Sequence, residues 1–255
     1  MTDAVLLEVV DEVAVITLNR PDQLNAVNYA LLCGLIEKVR AADSDPDVGC
    51  IVVTGAGRGF CAGGDLREGA RAPKDTTDPL MLRDGAEASR LLRESAKPTI
   101  AMVNGPVAGA GIGIAGACDL RFAAQSATFL SAYDRIGGGG DYGATYVWAR
   151  ALGAAKAREL FLLGEKFTAE AALAFGLYTR VFPDAELREA TMAAARRFAD
   201  GPRPGWAYMK ANLNAAEAEV FKDHLDRESA NMPRATGESF RYLKARREAA
   251  DAAKS

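Results

Sequence analysis

Histidine is almost missing from this chain: among 255 residues only His224 carries an imidazole. A zinc site or a Ser-His-Asp triad is therefore hard to assemble, the more so because His224 lies on a charged, helical stretch between Asp223 and Asp226. The four cysteines, Cys33, Cys50, Cys61 and Cys118, show no C-x-x-C spacing and each falls in an apolar or glycine-rich context. They read as reduced, mostly buried thiols, as in a cytosol, and the expected location is cytoplasmic. Positive charge is also in short supply, with 31 Lys and Arg against 34 Asp and Glu for a net charge of -3. That balance argues against a nucleic-acid partner. No apolar run is long enough to span a membrane, and the acidic Met1-Thr2-Asp3-Ala4 start leads to no expectation of a signal peptide.

What is present is ample core material, 49% hydrophobic against 25% charged residues, enough for one large domain with a smaller appendage. Leu6 to Leu18 alternates about an Asp11-Glu12 turn and reads as a hairpin. Leu31, Leu32, Leu35, Ile36 and Val39 recur at helical spacing, and Cys50 to Thr54 is a short buried strand. Strands are expected again at Thr99–Val103, Asp119–Ala123, Ala127–Leu130 and Leu177–Phe182. Helices are expected at Leu80–Ser95, Ala108–Ala117, Tyr146–Leu152, Ala155–Leu163, Ala169–Phe175 behind a Thr168 cap, and Ala185–Ala199. Gly69 to Pro79 is polar and proline-bearing, a surface excursion able to serve as a lid. Gly201-Pro202-Arg203-Pro204-Gly205 reads as a hinge before two amphipathic helices, Trp206–Asn231 and Glu238–Lys254.

Three glycine clusters interrupt this pattern. Phe60-Cys61-Ala62-Gly63-Gly64-Asp65 and Asn104 to Gly111 each follow an apolar strand and precede a helix. Glycine and alanine there let a ligand approach the main chain, and a helix start supplies unpaired N–H groups. Two such turns converging on one oxygen make an oxyanion hole; taken singly, each is also a tight turn. The third cluster, Ile136 to Gly143, contains Asp141, the leading acid/base candidate. Its alternative role is helix capping. Asp65 reads as fixing the glycine loop through backbone hydrogen bonds, and Asp119 as bracing a strand end.

Asn19-Arg20-Pro21, Leu24-Asn25-Ala26, Gly59 to Leu66, Lys97-Pro98, Asn104-Gly105 and Gly109-Ala110-Gly111, in this order and spacing, resemble the crotonase (enoyl-CoA hydratase/isomerase) superfamily. The likeness runs from about residue 5 to about residue 185. It implies an α/β fold: a crotonase-like spiral of ββα units, with an acyl-CoA-binding core over residues 1–200. It further implies a helical C-terminal oligomerisation region over residues 201–255, forming a homotrimer or dimer of trimers. The ligand is an acyl-CoA thioester, with no cofactor besides that substrate. Carried over by position, the oxyanion donors fall on the amides of Gly64 and Ala110. Ala62, Gly63, Asp65 and Leu66 line the CoA, Gly109 adjoins the second donor, and the acyl tail lies toward Tyr133 and Asp141. Arg20, Arg58, Arg67 and Lys97 are candidate phosphate partners.

The chain also departs from the pattern. Hydratases of the family use two glutamates, and those positions hold Gly113 and Tyr133, neither of which offers a carboxylate. Residues 132–145 instead resemble the branch whose carboxylate lies one loop later. That branch includes phenylacetate-pathway enoyl-CoA isomerases, in which an aspartate at the position of Asp141 shuttles a proton. It also includes 4-chlorobenzoyl-CoA dehalogenases, whose histidine position falls here on Ala86. The resemblance thus implies double-bond isomerisation by Asp141. The alternatives are a hydratase or hydrolase of the same fold, and a non-catalytic acyl-CoA-binding protein. An unperturbed aspartate, pKa about 3.9, is too acidic for a carbon base, so burial among Tyr133, Ile136 and acyl carbons has to raise it. Tyr133 either faces the acyl group or packs as core.

Overall fold

The structure, a computed structural model, describes residues 3–69 and 86–253. Most of the Gly69–Pro79 excursion and the first six residues of the Leu80–Ser95 helix lie outside the described residues.

Strands β1 (Val5–Val10) and β2 (Val13–Leu18) form an antiparallel hairpin. Asp11 and Glu12 both take positive φ, 50° and 61°, the turn that matches strand twist. Parallel strands β3 (Cys50–Gly55), β4 (Thr99–Val103), β6 (Leu120–Ala124) and β9 (Arg180–Phe182) extend the sheet in the order β1-β2-β3-β4-β6-β9. β2, β3 and β4 are almost wholly buried, which is why they read as continuous β-branched runs. A second sheet, β5 (Val107–Ala108), β7 (Thr128–Leu130) and β8 (Lys166–Thr168), stands beside it. Cys61 joins that second sheet through a parallel bridge to Val107.

The chain therefore winds as a spiral. Each turn contributes a strand to the first sheet, a short strand or bridge to the second, and then a helix. α1 (Tyr29–Ser44) starts on an Asn28 side chain that accepts from the Leu31 amide, and buries Leu31, Leu35, Val39 and Ala42. Further along come α2 (Leu66–Gly69), α3 (Glu87–Glu94), α4 (Ala110–Ala117), α5 (Ala144–Leu152), α6 (Ala154–Leu163), α7 (Ala169–Phe175) and α8 (Leu187–Asp200). Thr168 caps α7 as expected, its side chain accepting from Ala171. α4 begins two residues later than its sequence pattern, because Val107 and Ala108 are drawn into the second sheet. Likewise β9 is shorter than Leu177–Phe182: Leu177 and Tyr178 turn inward as core.

The C-terminal third corrects two expectations. The 201–205 hinge is instead the start of α9 (Arg203–Ala216), with Pro204 in the first turn, where its missing N–H costs nothing. Arg203 locks this start, pairing with Glu12 at 2.6 Å and donating to the carbonyls of Pro46, Asp47 and Ala199. The second break is at residues 217–220, and α10 (Phe221–Ala252) runs unbroken through Pro233. Contacts to α9 on either side of the proline, Asn231 to Asn212 and Glu238 to Tyr208, hold the helix across the lost hydrogen bond. Lys210 ties α9 to the core: it is buried, donates to the carbonyls of Leu92 and Lys97, and pairs with Asp119 at 2.8 Å. Asp119 in turn accepts from the amide and hydroxyl of Thr99, the strand brace read from sequence.

Candidate active site

The two glycine loops meet backbone to backbone. A Cβ on Gly63 would lie 3.2 Å from the Ala108 carbonyl oxygen and 3.4 Å from the Gly109 Cα, and both glycines take positive φ, 101° and 51°. A side chain there would crowd the facing loop in a backbone conformation that L residues rarely adopt. The loops are also in register. Cys61 pairs with Val107, and the Ala108 amide donates to the Cys61 carbonyl at 2.9 Å, so Gly64 and Ala110 each lie three residues past the bridge. Val27 bonds to the Gly63 carbonyl and the Asp65 amide, bypassing the Gly64 amide between them. Ala110 opens α4, where intrahelical bonding cannot satisfy its N–H. Among the described residues neither amide has a partner.

Two asparagines hold these loops, and sequence reading gave them no role beyond the motifs that contain them. Asn25 is fully buried: it accepts from the Arg20 amide and donates to the carbonyls of Ala56 and Gly59. Asn104 accepts from the Gly55 amide and donates to Gly57 and Gly59. A buried side-chain amide satisfying three backbone groups is a strong positional constraint. The signal was the side-chain chemistry of asparagine at two chain reversals.

Asp65 and Arg20 form an ion pair at 2.9 Å, and the Asp65 carboxylate also accepts from the Arg67 amide. The aspartate thus braces the loop. Arg20 and Lys97 are committed within the protein and not offered to phosphates: Arg20 also donates to the Ala26 carbonyl, and Lys97 donates to the carbonyls of Ala42 and Asp45. Burial lowers the Lys97 pKa. Ala62 gives its amide to the Leu24 carbonyl, while Leu66 is exposed at the head of α2.

Asp141 comes to this region through α4. A Cβ on Gly113, one helical turn past Ala110, would lie 3.1 Å from the Asp141 carbonyl oxygen. It would be only 2.9 Å from the Tyr142 carbonyl oxygen and 2.7 Å from the Tyr142 Cβ. The Asp141 loop therefore occupies the space a side chain at 113 would need. The Asp141 side chain does not cap α5, whose cap residue is Gly143 with no side-chain bond. Instead Asp141 accepts from the Tyr133 hydroxyl at 2.7 Å. Burial raises its pKa above the ordinary carboxylate value, and the Tyr133 hydrogen bond opposes part of that rise. Ile136, expected to share in this burial, sits on a short 3₁₀ turn, Asp134–Ile136, with 57% of its surface exposed.

Cys61, the thiol nearest this geometry, is fully buried. Burial pushes it up to about 12, so it stays a thiol. His224 is remote from both loops in sequence and bonded elsewhere, held between Glu219 at 3.2 Å and Glu228 at 3.5 Å. Ala86 precedes α3 as its cap residue.

Stacked ββα turns and paired glycine loops define the class, an α/β enzyme of the crotonase type. Residues 8–241 match the family model described as Enoyl-CoA hydratase/isomerase, and the chain belongs to that family. It is 35% identical over 245 residues to the 1,2-epoxyphenylacetyl-CoA isomerase of Escherichia coli (strain K12), covering 95% of this chain and 93% of that one. It is 31% identical to a 4-chlorobenzoyl coenzyme A dehalogenase-2 of Arthrobacter sp, over 91% of this chain and 85% of the other. The crystal structure of an enoyl-CoA hydratase from Bacillus anthracis superposes with a TM-score of 0.88 at 26% identity, covering 98% and 96% of the two chains. Among the described residues no helix is long and apolar enough to cross a membrane.

Proposed function

We propose that this acyl-CoA enzyme moves a double bond within an enoyl-CoA thioester, with Asp141 as the proton carrier and the amides of Gly64 and Ala110 as donors to the thioester oxygen. The observation that carries the reading is the packing of the Asp141 backbone on Gly113, one turn along the helix whose first amide is the second donor. A helical turn rises about 5.4 Å, so the Asp141 backbone passes within about one turn of that donor, which supports a shared site.

The steps balance without water or a redox partner. Ionised Asp141 takes a proton from Cα of a β,γ-unsaturated thioester. The C–H electron pair enters the Cα–carbonyl bond, and the carbonyl oxygen becomes the oxyanion of a dienolate. Fixed N–H donors aimed at that oxygen stabilise the charge only as it forms, which lowers the barrier rather than the ground state. Asp141 then returns the proton to Cγ: the Cβ–Cγ π pair takes it, the Cα–carbonyl pair moves to close a Cα–Cβ double bond, the oxyanion re-forms the carbonyl, and the carboxylate is restored. A buried carboxylate with a raised pKa is a better carbon base than a solvated one.

Hydration needs a second acid/base group, and Gly113 and Tyr133 stand where the resemblance puts glutamates. Incubation with a β,γ-unsaturated hexenoyl-CoA in deuterium oxide separates the readings by mass spectrometry. The expected product is the α,β-unsaturated isomer carrying deuterium at exchanged carbon. A product heavier by one water overturns isomerisation in favour of hydration, and an unchanged thioester leaves a binding protein.

The homotrimer belongs to the same proposal. α9 and α10 expose a run of large apolar side chains, among them Met209, Leu213, Phe221, Met232 and Phe240, more than a solitary surface explains. Sedimentation velocity at micromolar concentration is expected to return three chains or a multiple of three, and a monomer would refute it.

A further inference from the structure

Tyr133 is held from three directions. Ser131, two residues before it, is fully buried, and its carbonyl accepts from the amide of Gly109 at 3.2 Å, tying this segment to the turn before Ala110. Ala132 takes φ 63°, a conformation that costs a residue with a Cβ and persists only where the surroundings impose it. The Tyr133 ring then lies 6.0 Å from that of Phe161, and the Tyr133 carbonyl accepts from the amides of Ile136 and Gly138. Asp141 is bracketed in turn by left-handed residues, Gly140 at φ 95° and Tyr142 at φ 50°.

Between these two constrained segments the hydroxyl of Tyr133 donates to Oδ1 of Asp141 at 2.7 Å. Among the described residues Oδ2 has no partner. A free aspartate can present either oxygen through rotation about its Cβ–Cγ bond. A donor fixed on one oxygen removes that freedom.

We propose that Tyr133 is a positioning residue for the reaction: it grips Asp141 by Oδ1 so that Oδ2 is the oxygen that exchanges a proton with substrate carbon. The assignment rests on the isomerase reading above and replaces the notion of a phenol turned toward the acyl group. Burial and the neighbouring Asp141 charge hold the Tyr133 phenol well above the ordinary tyrosine value, which keeps it a hydrogen-bond donor.

The test is Tyr133→Phe, which deletes one oxygen and preserves the ring, measured with the β,γ-unsaturated hexenoyl-CoA across pH. Loss of the donor destabilises the carboxylate, so the acid limb of kcat/KM moves upward by about one pH unit. A stronger base alone would speed the plateau. Lost positioning instead lowers kcat about tenfold with KM within about twofold. Fluorotyrosine at residue 133, a stronger donor of nearly the same shape, moves the acid limb downward and keeps the test open if the phenylalanine variant does not fold. A raised KM at unchanged kcat marks a substrate contact and overturns the proposal, as does an unshifted profile. Asp141→Asn run in parallel separates the two levels. If that variant still shifts the double bond, the isomerase reading fails; if it is silent while Tyr133→Phe matches wild type, only the role of Tyr133 fails.

Discussion

Asp141→Asn is expected to lower the rate of double-bond shift by about a thousandfold or more, the scale of losing a positioned general base. The thioester should still bind, because the amides of Gly64 and Ala110 belong to the main chain and are untouched. The amide oxygen of asparagine can still accept from Tyr133, so the loop keeps its hydrogen bond. Stability supplies an independent check with a definite sign. Burial raises the Asp141 pKa in the folded state, so between the unfolded and folded values the folded chain binds the proton more tightly. Stability from this group is present below the unfolded pKa and is lost as pH rises through the folded pKa. At neutral pH the ionised side chain is therefore a burden, and the asparagine variant is expected to melt at the same temperature as wild type or higher. Wild-type turnover would end the assignment, and a large fall in melting temperature would show a structural role instead.

Gly113→Ala is expected to separate activity from stability in the opposite sense to an ordinary core substitution. The added methyl would stand 2.7 Å from the Tyr142 Cβ and 2.9 Å from its carbonyl oxygen, and backbone cannot rotate away as a flexible side chain does. Overpacking costs about 1–3 kcal/mol, while alanine regains about 1 kcal/mol of helix propensity over glycine, so the net loss of stability is about 0–2 kcal/mol. The loop has to yield, and Asp141 moves with it. A shift of about 1 Å in a catalytic group costs about a hundredfold in rate. Turnover should thus collapse in a protein that still folds and melts within about 8 °C of wild type. Near-normal rates would show that the loop relaxes without moving the carboxylate. The same geometry says that Gly113→Glu cannot recreate a hydratase, because the carboxylate would have to pass through Tyr142.

Much of this was readable in advance, for reasons that differ by element. The buried parallel strands announced themselves as β-branched runs, since sheets covered on both faces need no alternation. The glycine loops were legible because close backbone approach leaves few residue choices, and the register of Cys61 with Val107 turned two motifs into one place. The C-terminal arm was misread because proline and glycine at 201–205 and proline at 233 are local signals. The contacts that overrule them, Arg203 to Glu12 and Asn231 to Asn212, are made by residues distant in sequence. Tyr133 was found as a position but not as a donor. Its link to Asp141 spans eight residues of irregular chain, where no periodicity predicts which way a side chain turns. Lys97 and Arg20 illustrate the reverse error: exposed basic residues look like ligands for phosphate until the carbonyls and carboxylate that hold them are seen.

The contact of Gly63 with Gly109 has a consequence for how such an enzyme can diverge. Groups that belong to the peptide bond survive every substitution except proline, so point mutation seldom deletes them while the two turns stay closed. Innovation is thereby channelled to the residues around that fixed centre, among them Gly113, which yields its space to the Asp141 loop, and the bonded pair Tyr133 and Asp141. If the two amides are the donors proposed above, a lineage can trade one reaction for another there and still inherit, unaltered, the means of activating a thioester.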